Sequence, residues 1–156
     1  MNVIVNNKLK RILFACTWNA VRSPIAEGLM NLIAGNRFLV DSVGVRLGMI
    51  DPFAIAVMKE IGIDISNHNP KIFEDLTAET YDIVISLSPE AQHKAIEMTR
   101  GNNCEVEFWH TMDPSIIDGS REVQLAAFRQ IRDELSSKLY KGTWKSAKLS
   151  SKFFQI

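Results

Sequence analysis

The chain is poor in cysteine, with only Cys16 and Cys104 among 156 residues. Two thiols make no disulfide framework, so a chain of this size is expected in a reducing compartment, the cytoplasm. No apolar run approaches the ~20 residues of a membrane span. The opening stretch, with Lys8, Lys10 and Arg11 leading into Ile12-Leu13-Phe14-Ala15-Cys16, mimics a lipoprotein signal only loosely. Its apolar segment is shorter than the ~7–15 residues of a secretory core, and Phe14 is bulky where a small residue is needed. Net charge is also missing: 18 Lys and Arg face 18 Asp and Glu. The balance is uneven, because every acid precedes residue 141 and the last 16 residues hold four lysines and no acid. A net acidic body lacks the basic field that nucleic acid or an anionic membrane surface requires, so neither is an expected partner. An anion bound by this chain has to be held by a local device.

Hydrophobic residues make up 46% and charged residues 23%, the proportions of an ordinary globular domain. The length suits one domain, expected over residues 1–140, with a lysine-rich tail over 141–156. Strand and helix signals alternate along it. Arg11 to Cys16, Phe38 to Val43, Asp82 to Leu87 and Glu105 to Trp109 read as short buried strands. Ser23-Pro24, Asp51-Pro52 and Ser88-Pro89 each pair a capping residue with a proline at the first helical position, and a last helix is expected from about Ser120 to Tyr140. The helix stripes predicted by spacing are Ile25, Leu29, Leu32 and Ile33, then Ala54, Val57, Met58 and Ile61, and finally Val123, Ala127, Ile131, Leu135 and Leu139. A short helix is expected near Phe73 to Leu76. The order predicts an α/β fold: a four-stranded parallel sheet with helices on both faces. Such sheets bind ligands beyond the carboxyl ends of their strands, which directs attention to the loop after the first strand.

That loop reads Cys16-Thr17-Trp18-Asn19-Ala20-Val21-Arg22-Ser23-Pro24. Five residues between Cys16 and Arg22 suffice to curl the backbone so that N–H groups face inward, and the following helix aims its N-terminus at the same point. Arg22 can fork two phosphoryl oxygens. Cys16 in that positive field is favoured as thiolate, the nucleophilic form. A cysteine at a strand end is by itself more often a small buried hydrophobe; the arginine, the serine and the strand-loop-helix setting together favour a phosphate-binding loop made by Thr17, Trp18, Asn19, Ala20, Val21, Arg22 and Ser23. No cluster has metal-ligand spacing, and neither a metal nor another cofactor is expected.

These residues resemble the low-molecular-weight protein tyrosine phosphatases, together with the related thioredoxin-coupled arsenate reductases. The resemblance spans about residues 10–140 and rests on Cys16 to Arg22-Ser23-Pro24 with Ala26-Glu27, on Asp41-Ser42, on His68 and on Asp113-Pro114, in that order. It implies a two-step displacement in which Cys16 attacks phosphorus, Arg22 and the loop amides hold the oxygens, and Asp113 protonates the leaving group and then deprotonates water. It also implies that Asn19, Ser23, Ser42 and His68 form a hydrogen-bond network supporting the loop.

Departures from the family pattern shape the expected function. Trp18 stands where the family usually has glycine, and Val21 replaces a second loop cysteine that in many members can protect the nucleophile as a disulfide. The loop from Val43 to Ile50 and the residues after Asp113-Pro114 lack the entrance aromatics of tyrosine-specific members. The stretch Ser86-Leu87-Ser88-Pro89-Glu90 lacks the relay cysteines of the reductases, and Cys104 is expected buried at the start of the fourth strand. The resemblance therefore implies a cysteine-dependent phosphomonoester hydrolase acting on a phosphorylated protein or a small aryl phosphate. The alternatives are an arsenate reductase resolved by an external thiol and a non-catalytic oxyanion- or phosphoprotein-binding module.

Overall fold

The computed structural model describes residues 10–76 and 81–142. The tail expected beyond residue 142 lies outside the described residues. Four strands, β1 (Lys10–Cys16), β2 (Phe38–Gly44), β3 (Ile83–Ser86) and β4 (Glu105–Phe108), alternate with four helices, α1 (Arg22–Ala34), α2 (Pro52–Lys59), α3 (Pro89–Thr99) and α4 (Arg121–Lys141). Short 3-10 turns occur at Gly35–Arg37, Phe73–Asp75 and Pro114–Ile116, the second of them where a short helix was expected. All strand pairs are parallel, and the order is β2-β1-β3-β4.

The apolar run of β1 explains its central place. Ile12, Leu13, Phe14 and Ala15 are fully buried, as a strand covered on both faces requires. Ile12 and Phe14 face one core with Ile25, Met30, Met58, Phe128, Ile131 and Leu135, so α1, α2 and α4 share that side. Leu13 and Ala15 face the other with Val84, Ala91 and Ala95, which places α3 there. The chain goes from β1 outward to β2 and then returns across β1 to β3. The carboxyl end of β1 is thus the switch point, with its own connection leading to one face and that of β3 to the other.

Asp51, Ser88 and Ser120 cap their helices as expected, accepting the amides of Phe53, Ala91 and Val123 at 2.8, 3.2 and 3.2 Å. Ser23 does not. The N-cap position of α1 is Val21, which offers no side-chain bond, and Ser23 lies inside the first turn. The stripes also shift. Leu32, Ile61 and Val123 are exposed, α2 ends at Lys59, and the buried face of α4 runs through Leu125, Phe128, Ile131, Arg132, Leu135 and Leu139. Arg132 sits in that face because its Nη1 donates to the Val57 carbonyl and to Glu60 Oε1, each at 2.8 Å, tying α4 to α2. Among the described residues no helix is long and apolar enough to cross a membrane.

Candidate active site

The loop after β1 is held from outside by the segment that follows β2. The carbonyls of Cys16, Thr17, Trp18 and Ala20 accept the amides of Val45, Arg46, Gly48 and Asp51 at 3.1, 2.8, 3.1 and 3.0 Å. A planar trans peptide turns each following N–H to the opposite side. The amides of Thr17, Trp18, Asn19 and Val21 therefore point away from that segment, and no backbone acceptor among the described residues takes them. The result is a nest of donors beside the α1 N-terminus, suited to an oxyanion. The contact is close: a Cβ on Gly44 would lie 2.7 Å from the Asn19 nitrogen, and one on Gly48 2.9 Å from the Trp18 oxygen. Sequence reasoning missed both glycines, whose nearest neighbours are backbone atoms with no residue signature.

Trp18, where the family usually has glycine, keeps an ordinary backbone. The left-handed residue is its neighbour Asn19, with φ 53°, the one non-glycine of positive φ among the described residues. Asparagine tolerates that region, and here its side chain secures it. Asn19 Nδ2 donates to Ser23 Oγ at 2.8 Å and Ser42 Oγ at 3.0 Å. Its Oδ1 accepts the Lys71 amide at 3.0 Å and pairs with His68 Nε2 at 2.9 Å. Since a carbonyl oxygen only accepts, His68 donates from Nε2. Ser42 Oγ donates a hydrogen bond to Glu27 Oε1 at 2.5 Å, and His68 Nδ1 lies 3.8 Å from the same oxygen. Burial raises the Glu27 carboxyl above its ordinary value. Burial, reinforced by Lys71, lowers the His68 imidazole below its own. Both shifts favour neutral groups behind the loop.

Ser23 Oγ accepts from Asn19 Nδ2 and lies 2.9 Å from Cys16 Sγ and 3.4 Å from the Val43 carbonyl, so its hydroxyl can donate to the sulfur. A hydroxyl directed at the sulfur stabilises a thiolate, and this use explains why Ser23 is not a helix cap. Cys16 ends β1 at 2% exposure, yet it borders a cavity of about 210 Å³ that Trp18, Ala20, Val21, Arg22, Gly48, Asp51, Asp113 and Ser115 complete.

Arg22 is fixed at the floor of this cavity. Its Nη1 donates to the Thr111 carbonyl at 2.8 Å and its Nη2 to Thr17 Oγ1 at 3.3 Å. Thr17 in turn bonds Ser88 Oγ at 3.0 Å. A guanidinium has five N–H donors, so the remainder can serve an oxyanion. Thr111 lies two residues before Asp113, and its carbonyl links the arginine to the loop carrying the candidate acid. Asp113 Oδ1 accepts the Ser115 amide at 2.9 Å and the Ser115 hydroxyl at 2.7 Å, while Oδ2 takes no protein donor among the described residues. The structure thus brings Cys16, Arg22 and Asp113 to one cavity and Asn19, Ser23, Ser42 and His68 to its rear. It adds Asp51, which the sequence marked only as a helix cap, and Thr111, Gly44 and Gly48, which the sequence did not single out.

Cys104 is half-buried rather than enclosed. Glu105 pairs with Ile83, and Ile83 with Ile12, so Cys104 lies level with Arg11 at the amino edge of the sheet. Five residues of β1 separate that level from Cys16, roughly 16 Å at a strand's rise. A disulfide needs Cα atoms within about 7 Å, so the two thiols cannot join without rebuilding the sheet. Among the described residues no group of three His, Cys, Asp or Glu could hold a metal ion.

A thiol under an amide nest, with an arginine fork below and a carboxyl opposite, defines an oxyanion-processing site at the head of a parallel sheet. The sequence model described as low molecular weight phosphotyrosine protein phosphatase matches residues 11–146, and the chain belongs to that family. Members of the family are enzymes, either phosphatases or arsenate reductases. The arsenate reductase of Bacillus subtilis (strain 168) is 35% identical over 130 residues, covering 83% of this chain and 92% of that protein. Among solved structures, a low molecular weight protein tyrosine phosphatase from T. tengcongensis superposes with a TM-score of 0.71 at 27% identity, over 87% of this chain and 99% of that one. An arsenate reductase in the reduced state gives 0.69 at 30% identity, over 85% and 95%.

Proposed function

We propose that this chain is a phosphomonoester hydrolase acting through a phosphocysteine, on phosphorylated protein or small aryl phosphates in the cytoplasm. The observation that carries the proposal is a single thiol, Cys16, in the oxyanion cup, with Asp113 on the same cavity and no second thiol within reach. In the first step the Cys16 thiolate attacks phosphorus while the P–O bond to the leaving group breaks. Protonated Asp113 gives its proton to the departing oxygen. The loop amides and Arg22 hold the phosphoryl oxygens throughout, supplying the positioning and electrostatic stabilisation on which phosphoryl transfer depends. In the second step water attacks the phosphocysteine, Asp113 takes its proton, and phosphate and thiolate are released. Ser23, aimed at the sulfur, eases its departure.

A second reading is favoured by the 35% identity to a protein named arsenate reductase. The same cup would take arsenate, and an external thiol would have to resolve Cys16, since Cys104 is out of reach. One pair of assays separates the readings. With para-nitrophenyl phosphate, wild type is expected to turn over, Cys16→Ser to be inactive, and Asp113→Ala to fall by about 10²–10⁴ in kcat. With arsenate and an added thiol, arsenate-dependent thiol oxidation without aryl phosphate hydrolysis would replace the phosphatase by the reductase. Phosphate binding without turnover in either assay would leave a non-catalytic module.

A further inference from the structure

We propose that the mouth of this site selects phosphorylated protein segments carrying a positively charged residue beside the phosphorylated side chain, and that Asp51 reads that charge. The inference rests on the phosphatase reading and deepens it.

Among the described residues Arg22 is the only basic one lining the cavity, and in the proposed reaction its charge serves the phosphoryl group. Two carboxylates, Asp51 and Asp113, line the walls. Asp113 is assigned to the leaving group in the proposed first step, which leaves Asp51 as the carboxyl free to meet a flanking residue. Asp51 Oδ1 caps α2 through the Phe53 amide at 2.8 Å, and Oδ2 takes no protein donor among the described residues. Among the described residues, the cations beside the lining are engaged elsewhere: Arg46 is bound to Glu90 at 2.6 Å and lies over the Trp18 ring at 5.5 Å, and Arg121 lies over the Phe53 ring at 5.3 Å. An acidic flank beside the phosphate would meet Asp51 with like charge, and a basic flank would meet it with opposite charge.

The occupant is a protein segment rather than a small ester. A cavity of about 210 Å³ encloses little beyond the phosphorylated group, so neighbouring residues must lie on the rim. Trp18, which lines the cavity, is 45% exposed, and Leu47, Met49, Met112 and Ile116, next in sequence to the lining residues Gly48, Asp113 and Ser115, are 64%, 86%, 44% and 70% exposed. Single exposed apolar residues are ordinary, but Trp18 on the lining and four more in the segments that supply it offer apolar area to a bound chain.

The test uses full-length protein and three phosphotyrosine peptides that differ only in Lys, Gln or Glu on either side of the phosphorylated residue. Expected kcat/KM falls in the order Lys, Gln, Glu, with about tenfold between the ends, as each exposed charge contact contributes up to about fivefold. The spread narrows when salt rises from about 50 mM to about 0.5 M. Asp51→Asn keeps the cap, since asparagine caps as well as aspartate. It is expected to cut the Lys-to-Glu ratio to about threefold or less. The ratio is taken within each variant, so any loss of folded protein cancels. A ratio at or below one in wild type, or one unchanged in Asp51→Asn, overturns the proposal while leaving the phosphatase standing. Phosphoethanolamine, which carries an ammonium but no chain, is expected to be much the poorer substrate; equal turnover overturns the choice of a protein segment. Failure of wild type on every peptide and on para-nitrophenyl phosphate removes both readings.

Discussion

On its rear side the loop from Cys16 to Arg22 rests on a network in which Asn19 alone engages Ser23, Ser42, His68 and the Lys71 amide. On its front side the amides of Thr17, Trp18, Asn19 and Val21 find no backbone acceptor among the described residues. The rear is arranged for stability, since buried polar atoms left unpaired are costly. The front withholds its donors from the protein so that an oxyanion can complete them. The two sides of one heptapeptide thus separate holding from reacting, and variants on each side are expected to fail in different ways.

The largest effect is expected in front. Arg22→Lys replaces a planar fork by a point charge, and kcat/KM toward para-nitrophenyl phosphate is expected to fall by about 10²–10³. Circular dichroism melting should register little change, although added inorganic phosphate, which raises the wild-type Tm by binding the folded state, should raise that of the variant less. An equally large loss of Tm would erase the distinction between the two sides. Behind the loop, Asn19→Ala removes four hydrogen bonds and leaves alanine at φ 53°. A loss of about 3 kcal/mol is expected, seen as a lower urea midpoint together with lower activity. Unchanged stability there would mean that the network does not hold the loop. The smallest effect concerns pH. Burial and Lys71 hold the His68 imidazole below its ordinary 6.5, so the folded protein resists protonation. Its stabilising contribution is present above 6.5 and is lost as pH falls toward the lowered value, because the unfolded chain takes the proton first. Between pH 7 and 5.5 wild type should lose more Tm than His68→Gln; parallel melting curves would show that the imidazole is not the group responsible. Glu27, Lys71 and Asp41 face the same ring and set the background common to both proteins.

The sequence showed where elements begin more clearly than how they face. Asp51-Pro52, Ser88-Pro89 and Ser120 mark real helix starts because capping is local chemistry. Ser23-Pro24 carries the same signal, but the site takes the serine for sulfur, and a local rule gives way where function intervenes. The α4 stripe slipped because Val123 and Ala127 satisfy helical spacing, while a buried arginine at 132 is invisible to an apolar pattern. In the site, Cys16, Arg22, Ser42, His68 and Asp113 were legible because their chemistry belongs to side chains. The Thr111 carbonyl, the close approach of Gly44 and Gly48, and the acid at 51 depend on tertiary placement. Strand order was equally hidden, since alternation alone does not say on which side of β1 each later strand pairs.

That order has a consequence for synthesis. Among the described residues β1 is the first strand to be translated, yet its second neighbour, β3, follows only at Ile83. At ribosomal speeds of about 5–20 residues per second, one flank of the strand that ends in Cys16 waits on the order of 4–14 seconds for its partner. Until then the nascent chain can zip β1 only to β2, and the cup that Ser88 and Thr111 help to brace cannot close before Thr111 has been added.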